Sequence, residues 1–151
     1  MFRKIIVAID ETDIASLKNI VNSLDNKKCL IKIGSVAFNS IGHEAISYVS
    51  DKGFDIFLDL KLHDIPNTVK KSIEGLASLP IKMLTIHTSG GRKMMMDAMK
   101  AVSGTGIKVF GVTALTSLSN EDTNYIFQRS TLEQVNAMLD LAAVSYTHLT
   151  L

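Results

Sequence analysis

The stretch DIFLDLKLHDIPNTV, residues 55–69, carries the reading on which the fold turns. Its first eight residues are an apolar run interrupted by charge, short enough for a strand and bounded by a polar segment. That pattern predicts a strand over 55–62. Pro66 suits the first turn of a helix, where its missing N–H costs nothing, with Val69, Ile73 and Leu76 facing inward. Side chains on a strand alternate, so Phe57, Asp59 and Lys61 are expected on one face and Leu58, Leu60 and Leu62 on the other. The leucines can pack under helices. Asp59 and Lys61 then point into a barrel or cleft, where charge is costly unless paired.

The same strand–helix unit repeats on both sides. KIIVAI (4–9) predicts a strand buried on both faces. Thr12 or Asp13 can cap a helix carrying Ile14, Leu17, Ile20, Val21 and Leu24 at helical spacing. CLIKIG (29–34) predicts a second strand. A second helix follows, with Val36, Phe38, Ile41, Ala45, Ile46 and Val49 as its inner face, ending near Gly53. Beyond the central unit, KMLTIH (82–87) predicts a fourth strand, and Gly90-Gly91 a tight turn into a helix bearing Met94, Met95, Met96 and Met99. IKVFGVTAL (107–115) predicts a fifth strand, followed by a helical region over roughly 121–144. Five β/α units with no hairpin signal give an α/β fold with a parallel sheet. Unit length is close to one eighth of a ~250-residue (β/α)₈ barrel, while an open doubly wound sheet is the other architecture this pattern allows.

Composition excludes several classes of function. Among 151 residues, sixteen basic against fifteen acidic side chains give a net charge of +1, too balanced for a nucleic-acid footprint. A single Cys excludes a disulfide framework and a Cys-rich zinc site, and fits a reducing cytoplasm. The apolar run at the start is cut by Asp10, too short for a signal peptide or a membrane span. Neither a membrane nor a nucleic acid is expected as a partner. GxGxxG, Walker, HExxH and GxSxG motifs do not occur.

Polar and charged residues instead gather at the C-terminal ends of the predicted strands: Asp10, Lys32, Asp59 with Lys61, His87, and Thr113 with Thr116. In barrels and open α/β sheets alike, that edge is where active sites lie. Asp64, three residues past Lys61, can turn back toward it, and Lys32 can reach the same place from the neighbouring strand. The expected result is an alternating Lys32–Asp59–Lys61–Asp64 array. It would hold a lysine protonated among carboxylates, ready as a general acid, with a fixed carboxylate beside any anionic substrate. A purely structural ion pair is the alternative for Asp59 and Lys61. His87 fits a hydrogen-bonded core residue as well as a site residue. Cys29 reads as a small buried hydrophobe, the methionines as helix core, and Lys27-Lys28 and Lys70-Lys71 as solvated surface.

The segment DLKLHDIPNT (59–68), within FLDLKLHDIPNTV, resembles the signature of the orotidine 5′-phosphate decarboxylases. VAID around Asp10, IKIG around Lys32, TIHTSGG (85–91) and GVTALTSL (111–118) agree with it in order and spacing, over residues 4 to 143. The bare D-x-K-x-x-D core is shared with phosphosugar decarboxylases and aldolase-like enzymes; the extension H-D-I-P-N-T makes the match specific. The resemblance implies a (β/α)₈ barrel, a cytoplasmic homodimer, and conversion of the small-molecule substrate orotidine 5′-monophosphate to UMP and CO₂ without metal or organic cofactor. It implies Lys61 as the acid protonating C6, Asp59 beside the substrate carboxylate, Lys32 completing the charge network at the ribose, and Asp10 on a ribose hydroxyl. Asp64 and Thr68 would reach across the dimer. Ile65, His87 and Thr116 complete the implied substrate contacts, Thr116 near the pyrimidine.

Two other readings accompany it. One is a related Mg²⁺-dependent phosphosugar decarboxylase, against which His63, Pro66, Asn67 and Thr68 speak. The other is a non-catalytic fragment, because the later strands, with the Gln-containing loop and Gly-Arg pair that grip phosphate, are not in this sequence. Residues 1–143 are accordingly expected to form the N-terminal part of a single barrel domain, its first five β/α units. VSYTHLTL (144–151) is expected to be a non-native tail, since VSYTHL is one reading frame of a common transposase sequencing adapter.

Overall fold

A computed structural model describes residues 5–145. The described residues form one five-stranded sheet in the order β1-β2-β3-β4-β5: Ile5–Ile9, Cys29–Gly34, Ile56–Leu62, Met83–His87 and Lys108–Val112. Seven helices follow or separate the strands: α1 Ile14–Asn22, α2 Ser35–Ile41, α3 His43–Asp51, α4 Pro66–Leu76, α5 Gly91–Ala101, α6 Asn120–Phe127 and α7 Thr131–Ser145. The pairing of β1 with β2 and of β2 with β3 is parallel and in register, with Ile9 beside Ile33 and Gly34 beside Asp59. The strictly sequential order is decisive. A doubly wound sheet reverses direction at a switch point, whereas a barrel adds each strand beside the last. The fold is that of the first five units of a (β/α)₈ barrel.

By compactness the chain divides into two units, one of residues up to 60 with 75–84 and one of 61–74 with the residues from 85 onward. In the first, Ile9, Leu17, Val21, Ile31, Ile33, Ala45, Ile46, Val49, Ile56 and Leu58 make up much of the apolar core. Helix α1 starts as its sequence requires: the Asp13 side chain accepts from the Ser16 N–H at 2.8 Å. The expected single second helix is two. Gly42, at φ 74°, ends α2 and starts α3, a backbone open mainly to glycine. The break shifts the helical phase, so Ala37 is buried and Val36, expected inside, is 47% exposed. Strand β1, which reads locally as buried on both faces, is exposed at the sheet edge, as the outermost strand of a five-unit barrel fragment is expected to be. It lies at the edge of the described sheet, and Ile5 and Ile6 are exposed while Ile9 is buried.

In the second unit, Val69, Ile73, Ile86, Met94, Met95, Ala98 and Val109 are buried, and α5 packs against α7. Met99 is buried as well, while Met96 is partly exposed. Pro66 opens α4 as expected. Gly90 is required by close packing: a Cβ there would collide with the Met94 thioether and meet His63 Cδ2 at 3.3 Å. The fifth strand stops at Val112, so Thr113 and Thr116 belong to the loop beyond it rather than to the strand end. The helical region expected over 121–144 is divided at Gln128, whose left-handed backbone (φ 56°) ends α6. Ser130 and Glu133 then cap α7 reciprocally, the Ser130 N–H donating to Glu133 Oε2 at 2.8 Å and the Glu133 N–H to Ser130 Oγ at 3.3 Å. Helix α7 runs through Val144 to Ser145; the remainder of the segment expected to be non-native lies outside the described residues.

Candidate active site

In the first unit, the strand ends bring two of the expected residues together and place a third beside Gly34. Lys32 on β2 reaches diagonally across the ladder, and its Nζ stands 3.1 Å from Asp59 Oδ2 on β3. The side chains are 26% and 10% exposed, so the pair is shielded but not sealed. Breaking a buried pair of this kind by deleting one partner costs about 3–5 kcal/mol, less where water still reaches the charge. Asp10, one residue past β1, is exposed, and its Oδ1 lies 3.1 Å from where a Cβ on Gly34 would stand. The Gly34 φ is an ordinary −90°, so this glycine serves the close approach of a carboxylate rather than a special backbone.

In the second unit the distinctive backbone is that of Lys61. Its φ is 50°, a left-handed backbone in the penultimate residue of a strand. For an L-residue with a long side chain that conformation costs about 1–2 kcal/mol. It also interrupts the alternation expected along β3, so the facing of Lys61 is set by this local turn and not by the period of two. The Lys61 backbone N–H donates to Thr85 Oγ1 on β4 at 2.8 Å, and Thr85 is buried.

His87, at the end of β4, is half-buried, and its ring lies 5.3 Å from that of His63, tilted by 36°. Its pKa is lowered, first by burial and then by the charges of His63 and Lys61, so the neutral imidazole is favoured. Both histidines line a cleft of about 490 Å³ with Ser89, Thr113, Ala114, Leu115, Leu118 and Phe127. Thr116 does not line it and is exposed. Asp64, Ile65 and Thr68 are exposed on the loop after β3 and the first turn of α4. The Asp64 carboxylate accepts from the Ile65 N–H at 2.6 Å, while the Ile65 carbonyl accepts from Thr68 and Val69, fixing the entry to the helix. Sequence reasoning missed two participants. A threonine within the apolar run MLTIH was the available signal for Thr85. His63, noted only within the motif, pairs with His87 in a way no spacing announces.

Acidic and basic side chains thus stand at the C-terminal ends of the parallel strands of a partial (β/α) barrel, the edge that carries the active site in enzymes of that class. Residues 3–146 match the model of the orotidine 5'-phosphate decarboxylase / HUMPS family, and the chain belongs to that family. Among curated relatives, the orotidine 5'-phosphate decarboxylase of Ehrlichia chaffeensis is 44% identical over 139 residues, which are 91% of this chain and 60% of the relative. The protein of that name from Saccharophagus degradans is 40% identical over 142 residues, 92% of this chain and 60% of the relative. The chain thus spans about 60% of the length of the curated relatives it matches. Among solved structures, the orotidine 5'-phosphate decarboxylase of Lactobacillus acidophilus superposes with a TM-score of 0.84 at 34% identity, covering 95% of this chain and 68% of that one. An uncharacterized conserved protein from Geobacillus kaustophilus gives 0.83 at 29% identity, covering 93% and 69%. Among the described residues, no helix is long and apolar enough to cross a membrane.

Proposed function

We propose that the protein decarboxylates orotidine 5′-monophosphate to UMP in pyrimidine biosynthesis, with Lys61 as the proton donor. The observation that carries this reading is the shielded Lys32–Asp59 pair on a strand whose next charged residue is the left-handed Lys61, within a chain of this family. In the proposed step the bond from C6 to the carboxylate breaks and CO₂ leaves. The electron pair stays on C6, and the Lys61 ammonium transfers its proton there; solvent then reprotonates the amine. A fixed carboxylate at Asp59 disfavours the bound substrate carboxylate relative to a transition state in which that charge departs. A cation at Lys61 stabilises the developing carbanion. Lys32 holds Asp59 in place and contacts the ribose, and Asp10 binds a ribose hydroxyl.

The same reading makes the protein a cytoplasmic homodimer, with residues 1–143 as the N-terminal part of one barrel domain. The exposed Asp64, Ile65 and Thr68 then serve the partner's site, and the exposure of Ile65, a large apolar side chain, supports that role. His87 and Thr116 complete the proposed substrate contacts. The test is turnover of orotidine 5′-phosphate by the natural gene product, followed by loss of orotate absorbance and release of CO₂. No turnover by the folded protein would overturn the reading. The family description joins two enzyme groups, so chelation separates them. Activity is expected to persist in EDTA; loss restored by Mg²⁺ would point to a metal-dependent phosphosugar decarboxylase.

A further inference from the structure

We infer that Thr85 is a positioning residue for Lys61: its buried hydroxyl holds the lysine's backbone in the left-handed conformation from which the side chain is aimed. The inference rests on the reading of Lys61 as proton donor and adds a residue to it. Three observations converge. Lys61 adopts φ 50° within a strand, a conformation that persists in a non-glycine residue only where its surroundings hold it. A left-handed residue rotates its peptide groups away from the plane of a regular ladder, so its N–H needs a partner placed off that plane. Thr85 Oγ1 accepts from this N–H at 2.8 Å, and Thr85 is only 4% exposed, so water cannot readily replace it.

The neighbouring strand therefore contributes a side-chain oxygen at the point where β3 leaves regular geometry. Without that acceptor the part-buried Lys61 N–H would lose this hydrogen bond, and relaxation of Lys61 toward an extended backbone would swing its side chain to a different direction. A proton donor displaced by about 1 Å slows the chemical step about a hundredfold without weakening binding elsewhere on the substrate. The effect expected of Thr85 is thus on kcat and not on KM.

Thr85→Val keeps the shape and removes the acceptor; Thr85→Ser keeps the hydroxyl. In the natural gene product acting on orotidine 5′-phosphate, Thr85→Val is expected to lower kcat by about tenfold or more with KM nearly unchanged, and Thr85→Ser to restore most of the loss. A folded Thr85→Val protein with wild-type kcat overturns the inference. Should the valine variant not fold, Thr85→Cys, of similar volume and with a weak sulfur acceptor, is read in the same way. Amide hydrogen exchange at Lys61 tests the clamp apart from catalysis. It is expected to be slow in the wild type and in Thr85→Ser and faster in Thr85→Val or Thr85→Cys, and equal exchange in all of them overturns the clamp. Absence of turnover in the wild type would instead overturn the decarboxylase reading, leaving the clamp to be decided by exchange.

Discussion

Strands β2 and β3 each present a lysine near their C-terminal end, and they do so by different means. Lys32 stands on regular extended backbone, in unbroken register with both neighbours, and is fixed through its side chain by Asp59 at 3.1 Å. Lys61 stands on a left-handed backbone and is fixed through its main chain by the Thr85 hydroxyl. The first arrangement places charge by pairing it, which costs no strain but commits the side chain to its partner. The second places the side chain by bending the chain beneath it.

The sharpest way to break this contrast is to remove the Lys61 side chain. Lys61→Ala in the natural gene product is expected to retain the fold and to lose at least about a thousandfold in kcat, since in the proposed mechanism one group supplies both the proton and the charge facing the carbanion. Near-normal turnover by a folded variant would remove Lys61 from the acid role. Lys32→Met asks the complementary question. Keeping the stem while deleting the charge leaves Asp59 without its Lys32 partner, and urea unfolding should show a loss of about 2–3 kcal/mol. Unchanged stability would mean that the pair is held by the fold and contributes little to it.

The contrast is sharpened by a comparison at one position. If Lys61 is under backbone strain, glycine should tolerate the site better than alanine, although glycine is ordinarily the poorer strand residue. Lys61→Gly is expected to be more stable than Lys61→Ala by about 1 kcal/mol in urea unfolding. An alanine variant equal to or more stable than the glycine variant would show that the left-handed conformation carries no strain.

The sequence made the regular half of this comparison legible and left the other half hidden. Short apolar runs located all five strands and helical spacing the inner faces of α1 and α4, because burial of apolar side chains is a repeating constraint. Lys32 and Asp59 could be paired in advance because two opposite charges near the ends of buried strands have few other ways to be satisfied. The left-handed turn at Lys61 has no such signature: neighbouring residues Leu60 and Leu62 are ordinary strand formers. The break at Gly42 was one glycine inside a good helical pattern, and its phase shift moved Val36 outward. The boundary between α6 and α7 was signalled, since Ser130 and Glu133 have the spacing of a capping box, but the apolar period continued across it.

The smallest expected effect separates the two lysines by their surroundings. His87 is held below the ordinary histidine pKa of 6.5, by burial first and then by the charges of His63 and Lys61. In the unfolded chain it titrates near 6.5, so between that value and its lower folded value the unfolded state binds more protons. This group's contribution to stability is therefore full above about pH 6.5 and declines as the pH falls toward the folded pKa. Denaturation midpoints measured from pH 7.5 down to 5 should fall, and His87→Asn should remove part of that dependence while leaving the midpoint at pH 7.5 nearly in place. In the Lys61→Ala background the slope due to His87 should become shallower, because one of the two nearby charges has gone. Lys32→Met should leave that slope unchanged, since Lys32 is not among the causes of the shift. If both lysine variants alter the slope equally, the electrostatic distinction between the two strand ends is wrong.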